Sequence, residues 1–255
     1  MPPGPVPPSW LLEVPLAHRG LHDEQRPENC LPAFAAAREA GYGVELDVQL
    51  TRDGVPVVVH DRDLARLTGR AGRVGKVTAA ELTELPVLGS DERVATLDQA
   101  LDVLGPTPVM IECKSLGLRA GRLEAVVADR LETHDGPWCV AGFNPGTARW
   151  FRRYRPAAVR VLTAGPLEGH ALPGPVRRRL AALTDLEAAD PHAVSYDLTG
   201  LPTPRTDAWR EDGGAIVTWT VTSDAELARA RELADNVIFE FIRPATAPPG
   251  DATPR

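Results

Sequence analysis

"VELDVQLTRDGVPVVVHD", residues 44–61, alternates apolar and polar side chains as a half-buried β-strand does. Glu45, Asp47 and Gln49 fall on one face, and Val44, Leu46, Val48 and Leu50 on the other. Asp53-Gly54 separates this run from a second one, 55–60, and such a pair between alternating runs predicts a two-residue hairpin. In that register Arg52 faces Val55, Leu50 faces Val57 and Asp47 faces His60. Directly opposed side chains stand about 4.5–5.5 Å apart at Cβ. The hairpin would therefore bring His60 to Asp47, with Glu45 two residues further along the same face.

Around this pair the chain keeps a β-then-α rhythm. "VPLAH" (14–18) reads as a strand and "CLPAFAAAREAG" (30–41) as a helix, with Asn29 as its N-cap and Gly41 as its stop. Strand-like runs follow at 108–114, 138–143, 159–164, 193–198, 215–221 and 236–241. Helical stretches fall at 78–85, 96–104, 118–133, 145–153, 175–189 and 223–234, the last capped by Ser223 or Asp224. About eight such units predict an α/β chain folded as a single (β/α)8 TIM barrel. No G-x-G-x-x-G or Walker fingerprint supports a nucleotide-binding sheet instead. A parallel crossover needs a dozen residues or more. Either strand 44–50 runs past the barrel rim and folds back, or the region between the second and third strands is irregular, and the interval from His60 to Glu112 leaves room for a short insertion only. The barrel is expected over 10–243, between a proline-rich flexible tail at 1–9 and a second flexible tail at 244–255.

The chain has 255 residues, 43% hydrophobic and 25% charged, which suits one large globular domain. Its formal net charge of -7 argues against nucleic acid as a partner, because phosphate backbones select basic surfaces. Cys30, Cys113 and Cys139 are odd in number and widely spaced, which favours reduced thiols over disulfides or a zinc site. "MPPGPVPPSW" (1–10) has neither a basic nor an apolar segment of a leader, and no apolar run is long enough to insert stably in a membrane. A cytoplasmic protein is the expectation. Oligomeric state is not legible.

In a TIM barrel the chemistry lies where the strands end. "IECK" (111–114) repeats the habit of the opening stretch: Glu112 and Lys114 share one face, while Ile111 and Cys113 point the other way. Buried strands carry such charges when they are paired or bind an ion. Glu45, Asp47 and Glu112 offer oxygen ligands that suit one hard divalent cation such as Mg²⁺ or Ca²⁺. "AHRG" (17–20) adds His18 and Arg19 at the end of the first strand. His18 and His60 suit general acid–base work near neutral pH. Arg19 and Lys114 supply the cations a phosphate needs. Together these groups describe phosphoryl-transfer chemistry.

The motifs "HRG" (18–20), "PEN" (27–29), "LPAF" (31–34), "VELDVQLTRDGVPVVVHD", "LARLTGRAGRVGKVTAAELTEL" (64–85), "ATLDQAL" (95–101) and "IECK" resemble those of the glycerophosphodiester phosphodiesterase family. The likeness is dense over 16–115 and returns in "WTV" (219–221). It implies a (β/α)8 barrel that hydrolyses small-molecule glycerophosphodiesters to sn-glycerol 3-phosphate and an alcohol. It further implies His18 and His60 as the acid–base pair, Glu45, Asp47 and Glu112 as metal ligands, and Arg19 and Lys114 on the phosphate. Glu28 and Asn29 would support the site, Glu28 either reaching the metal or not, and Trp219 would line the glycerol pocket. The resemblance also implies attack by a neighbouring substrate hydroxyl, giving a cyclic phosphate that water opens.

Two departures bear on the pocket. Gly142 stands where the family has a serine, and "VIFEFIRP" (237–244) puts Phe239 and Glu240 where it has a Thr-Asp pair. Two rival readings follow: a lysophospholipase D-like barrel, and a non-catalytic barrel that binds a phosphorylated metabolite. "WFRRYRP" (150–156) is the candidate membrane patch for the first, against a barrel helix with Trp150, Phe151 and Tyr154 packed inward. The altered last strand supports the second. His22, His134, His170 and His192 read as surface residues, His22 closest to the site, and Tyr196 and Asp197 come late enough in a strand to approach the pocket.

Overall fold

A ring of eight parallel strands, closed by pairing of the first strand with both the second and the last, carries one antiparallel strand on its second member. The computed structural model describes residues 5–115, 120–168 and 173–246. In chain order, α1 (Ser9–Glu13) precedes β1 (Leu16–His18), and α2 (Leu31–Glu39) leads to β2 (Gly43–Leu50) and the antiparallel β3 (Pro56–Val58). Short α3 (Ala65–Thr68) and α4 (Ala79–Leu82) form the insertion before α5 (Leu97–Leu104) and β4 (Val109–Cys113). Then come α6 (Arg122–Leu131), β5 (Trp138–Ala141), α7 (Pro145–Tyr154) and β6 (Val159–Ala164). The last third holds α8 (Gly174–Ala181), α9 (Leu186–Ala189), β7 (Ala193–Asp197), α10 (Pro204–Glu211), β8 (Ala215–Val221), α11 (Asp224–Leu233) and β9 (Asn236–Phe239).

Strand alternation sorts the apolar residues into two cores. Val44, Leu46, Val48, Ile111 and Cys113 face outward and pack with Phe34, Leu97 and Leu104 of the helices. Met110, Cys139, Val161, Val217 and Ile238 fill the barrel interior, where Leu11 of α1 joins them. Asn236 Nδ2 donates to the carbonyls of Leu11 and Val14, both at 2.8 Å, fastening α1 to β9. The insertion builds a satellite cluster of Val57, Val59, Leu64, Leu67, Val74 and Leu82 on the outer side of β3.

The hairpin differs from the expected register by one residue. Val48 pairs with Val58, Gln49 with Val57 and Leu50 with Pro56. Thr51 N donates to Val55 O at 3.0 Å and Gly54 N to Thr51 O at 3.1 Å, so three residues form the loop. Gly54, at φ 85°, takes the left-handed position that such a three-residue loop requires. Asp47 is therefore opposite Val59, not His60, and His60 reaches the site from the segment after β3. Gln49 holds that segment by donating to the carbonyls of Val59, His60 and Asp61 at 2.9, 3.1 and 2.9 Å.

Other local expectations change as well. Asn29 is not a helix cap: Cys30 holds the N-cap position of α2, and Asn29 is turned to the site. Gly41 does follow the helix in the left-handed conformation, φ 76°. The stretch 175–189 is two helices, broken where Leu183 adopts φ 49°. Helix α10 was not expected; Thr203 caps it and Trp209 is its main buried side chain. Ser9, assigned to the flexible tail, begins α1, and residues 1–4 and 247–255 of the two tails lie outside the described residues, as does His170. Tyr196 packs outward with its hydroxyl on Ala181 O, away from the pocket, and Asp197 turns back to cap Thr199. In α7 Phe151 is buried and Trp150 half-buried, but Tyr154 is exposed.

Candidate active site

At the C-terminal ends of the strands the inward positions turn from apolar to charged. A cavity of about 180 Å³ opens there, lined by His18, Arg19, Glu45, Asp47, His60, Glu112, Lys114 and Trp219 among others. These are eight of the ten residues singled out in the sequence; Glu28 and Asn29 stand behind them. Parallel pairing sets the cluster: His18 is level with Glu45, and Asp47 with Glu112.

Glu45, Asp47 and Glu112 are 3%, 1% and 8% exposed. Each offers an oxygen within 4.8 Å of the others. Three carboxylates so placed need positive charge. Lys114 Nζ supplies part of it, 2.8 Å from Asp47 Oδ1 and 2.5 Å from Glu112 Oε1. Arg19 Nε lies 3.3 Å from Asp47 Oδ2, and Arg19 N donates to Glu45 Oε2 at 3.3 Å. Burial pushes Asp47 up, but Lys114, His60 and Arg19 outweigh it and hold that carboxyl far below its usual range. Glu45 goes the other way: burial, then Asp47 and Glu112, push it well above the carboxylate range. Burial opposes the charge on Lys114, yet Asp47 and Glu112 raise its pKa above the ordinary lysine value. The cluster thus retains one under-compensated carboxylate.

The donor set fits a hard divalent cation. All three groups are carboxylates, one of them short of positive charge, and the buried Asn29 Oδ1 beside them has no hydrogen-bond partner. Such a cation would compete with Lys114 for Asp47 and Glu112.

Each histidine has a carboxylate on Nδ1. His60 Nδ1 is 2.8 Å from Asp61 Oδ1, and Asp61 in turn accepts from Arg66. His18 Nδ1 is 2.6 Å from Glu240 Oε1, while its Nε2 stands 3.8 Å from Glu45 Oε2. Burial lowers the His60 pKa, and Lys114 and Arg19 add to this against Asp47 and Asp61.

Glu28 and Asn29 hold the first loop. Glu28 Oε1 accepts from Arg19 Nη1 and Arg66 Nη2, both at 2.8 Å, and Oε2 from Arg66 Nη1 at 2.9 Å. Its carboxylate is thereby committed to two arginines and lies outside the acidic trio. Asn29 Nδ2 donates to Asp47 Oδ2 at 3.0 Å, and Asn29 N to Arg19 O at 2.9 Å. Arg19 and Asn29 both adopt left-handed backbone, φ 55° and 56°. Non-glycine residues are uncommon there and concentrate at functional sites.

Trp219 Nε1 donates to Ser195 O at 3.2 Å, and its ring meets Phe143 edge-on at 5.7 Å. The β8–β9 register shifts between Thr218 and Val221, and the consecutive residues Trp219 and Thr220 both line the cavity. Gly142 does not touch the pocket: a Cβ there would meet Cys113 O at 3.2 Å and Thr147 beyond it. Phe239 is buried in the outer core against Tyr42, and Glu240 turns inward to His18. His22 is no surface residue either; its Nε2 is 3.4 Å from Glu240 Oε1. Asp61 and Arg66 lay within the quoted motifs without a role assigned. Asp61's place directly after His60 was the available signal.

The Glycerophosphoryl diester phosphodiesterase family profile matches residues 18–242. Probable glycerophosphodiester phosphodiesterase 2 of Mycobacterium tuberculosis is 29% identical over 222 residues, 82% of this chain and 79% of that protein. The glycerophosphodiester phosphodiesterase of Caldanaerobacter subterraneus is 40% identical over 109 residues, 39% of this chain and 44% of its own length. Among solved structures, a phosphodiesterase of Oleispira antarctica in complex with its product sn-glycerol-3-phosphate superposes with TM-score 0.77 at 24% identity, covering 91% of this chain and 94% of that one. A glycerophosphodiester phosphodiesterase of Thermotoga maritima superposes with TM-score 0.66 at 24% identity, over 89% and 94% of the two chains. These likenesses carry the barrel fold, and the sequence profile carries the rest: the chain belongs to the glycerophosphoryl diester phosphodiesterase family.

Proposed function

We propose that the chain hydrolyses glycerophosphodiesters to sn-glycerol 3-phosphate and an alcohol, with one divalent cation, Mg²⁺ or Ca²⁺, held by Glu45, Asp47 and Glu112. The observation that carries this reading is the meeting, in one cavity, of two carboxylate-backed histidines, three buried carboxylates and two cationic side chains. Family membership supplies the reaction class.

In this reading Arg19 and Lys114 bind the phosphate oxygens, and Trp219 packs on the glycerol moiety. The glycerol hydroxyl next to the phosphate attacks phosphorus. That oxygen is already tethered, so its effective concentration is large. One histidine takes the hydroxyl proton as the new P–O bond forms; the other protonates the departing alcohol oxygen as the old bond breaks. The histidines then exchange roles while water opens the cyclic phosphate. The cation, when bound, supplies charge that stabilises the phosphorane-like transition state and acidifies the attacking hydroxyl. Among the described residues no helix is long and apolar enough to cross a membrane.

The test is release of glycerol 3-phosphate from glycerophosphocholine by the purified protein with Mg²⁺, with Ca²⁺ and with EDTA, beside His60→Ala. The reading expects metal-dependent release that the substitution abolishes. No release with either cation refutes it.

A further inference from the structure

The residue that departs from the family pattern at the end of the barrel is the one that touches the first histidine. Glu240 follows β9 directly. β9 alternates as its neighbours do: Ile238 faces the interior, Phe239 the helices, and Glu240 the interior again. Its backbone is fixed on both sides, with Glu240 N donating to Val221 O at 3.0 Å and Ile242 N to Glu240 O at 2.8 Å. The carboxylate lies across the seam where β9 pairs with β1, in contact with His18 Nδ1 at 2.6 Å and near His22 Nε2 at 3.4 Å. All three side chains are largely buried, and the ring of Phe241 closes over His22 edge-on at 5.2 Å.

A histidine presents a defined nitrogen to its substrate only when the other nitrogen is held. A carboxylate accepts and cannot donate, so its partner nitrogen must carry the hydrogen. His18 is thereby fixed as the Nδ1–H tautomer with Nε2 toward the cavity. If Nε2 gains a proton in the reaction, the same carboxylate stabilises the imidazolium, as an aspartate does in the serine hydrolases. We infer that Glu240 is the positioning residue of His18, with His22 Nε2 standing 3.4 Å from the same carboxylate oxygen as a second, weaker neighbour. This inference deepens the proposed function and rests on His18 being one of its two proton carriers.

Glu240→Gln keeps the size of the side chain and removes its charge. The expected result is a kcat lower by at least about 10-fold, toward the roughly 10⁴-fold loss seen when the carboxylate behind the serine-hydrolase imidazole becomes an amide. KM stays within about twofold and the urea midpoint stays close to that of the parent. Glu240→Asp restores part of kcat, and His22→Gln lowers it less than Glu240→Gln does. A second readout is the ¹⁵N spectrum of the His18 ring in metal-free protein. The parent should show a protonated Nδ1 and a bare Nε2, and Glu240→Gln should lose that distinction because an amide can donate to Nδ1. A Glu240→Gln kcat within twofold of the parent, or a bare Nδ1 in the parent, overturns the inference. A parent chain that releases no glycerol 3-phosphate refutes the proposed reaction instead, and the ring spectrum still decides whether Glu240 holds His18.

Discussion

Replacing Lys114 by methionine keeps an unbranched apolar stem and removes one charge from the centre of the acidic cluster. At an effective dielectric of about 20, an ion pair at 2.8 Å or 2.5 Å is worth roughly 6 kcal/mol before any cost is counted. Desolvation of the ammonium cancels much of this. Breaking a buried pair from one side nevertheless costs about 3–5 kcal/mol, because the orphaned charge stays behind. Here Asp47 and Glu112 both lose their nearest cation. Urea unfolding of the EDTA-treated protein near pH 7 should show that loss as a lower midpoint at unchanged m-value. The sign with pH is fixed by the two shifts. Asp47, held below its unfolded pKa, contributes stability that is present above about pH 4 and lost as pH falls through the folded value. Lys114, held above its unfolded pKa, contributes stability that is complete below about pH 10 and lost as pH rises through the folded value. The gap between parent and variant should be widest between those limits and shrink in acid. Adding Mg²⁺ or Ca²⁺ to the variant should narrow it, since the cation meets the carboxylates without competition from Lys114. A loss below about 1 kcal/mol near neutrality, in the range of exposed ion pairs, would mean that solvent already screens the cluster, and the charge argument for the site would fail with it.

Three further outcomes follow from the same contacts. The pKa of His60 is held below the ordinary histidine value by burial, so if it is the base for the first step, the acidic limb of kcat/KM should have its midpoint below about 6.5; a midpoint above that value contradicts the assignment. Asn29→Ala removes the donor to Asp47 and leaves a side-chain-bearing residue at φ 56°; denaturation should show a cost of about 1–3 kcal/mol, and an unchanged midpoint would mean the contact is dispensable. Glu124 is fully buried and accepts from Ser115 Oγ at 2.5 Å, Thr147 Oγ1 at 2.7 Å and Gly121 N at 2.6 Å. Glu124→Leu strands all three donors and should destabilise by about 3 kcal/mol or more, read as a fall in thermal midpoint.

The parts of the site legible in the sequence were those encoded by strand parity. Glu45 with Asp47, and Glu112 with Lys114, share faces because side chains alternate along any strand, and that holds whatever the turn does. His60 was assigned to the right place by an incorrect register. A three-residue loop replaced the two-residue one, and the histidine arrives through the Gln49-held segment instead of across the ladder. Helix α10 escaped because Trp209 and Thr206 are its only buried residues, too few to make a periodic stripe. Asn29 looked like a cap because asparagine usually is one; its amide is spent on Asp47 instead. Glu240 was visible as a departure, but its partner is 222 positions away, and no local pattern reports a contact made by closing a ring.

That closure also orders events in time. His18 belongs to the first strand of the barrel and Glu240 to the residue after the last, and the pair exists only once the two ends of the sheet have met. A ribosome-bound chain that has exposed every other charged group of the cavity still lacks a fixed His18. A shortened product ending before β9 would lack that fixed histidine. The fixing of His18 and completion of the barrel become one event.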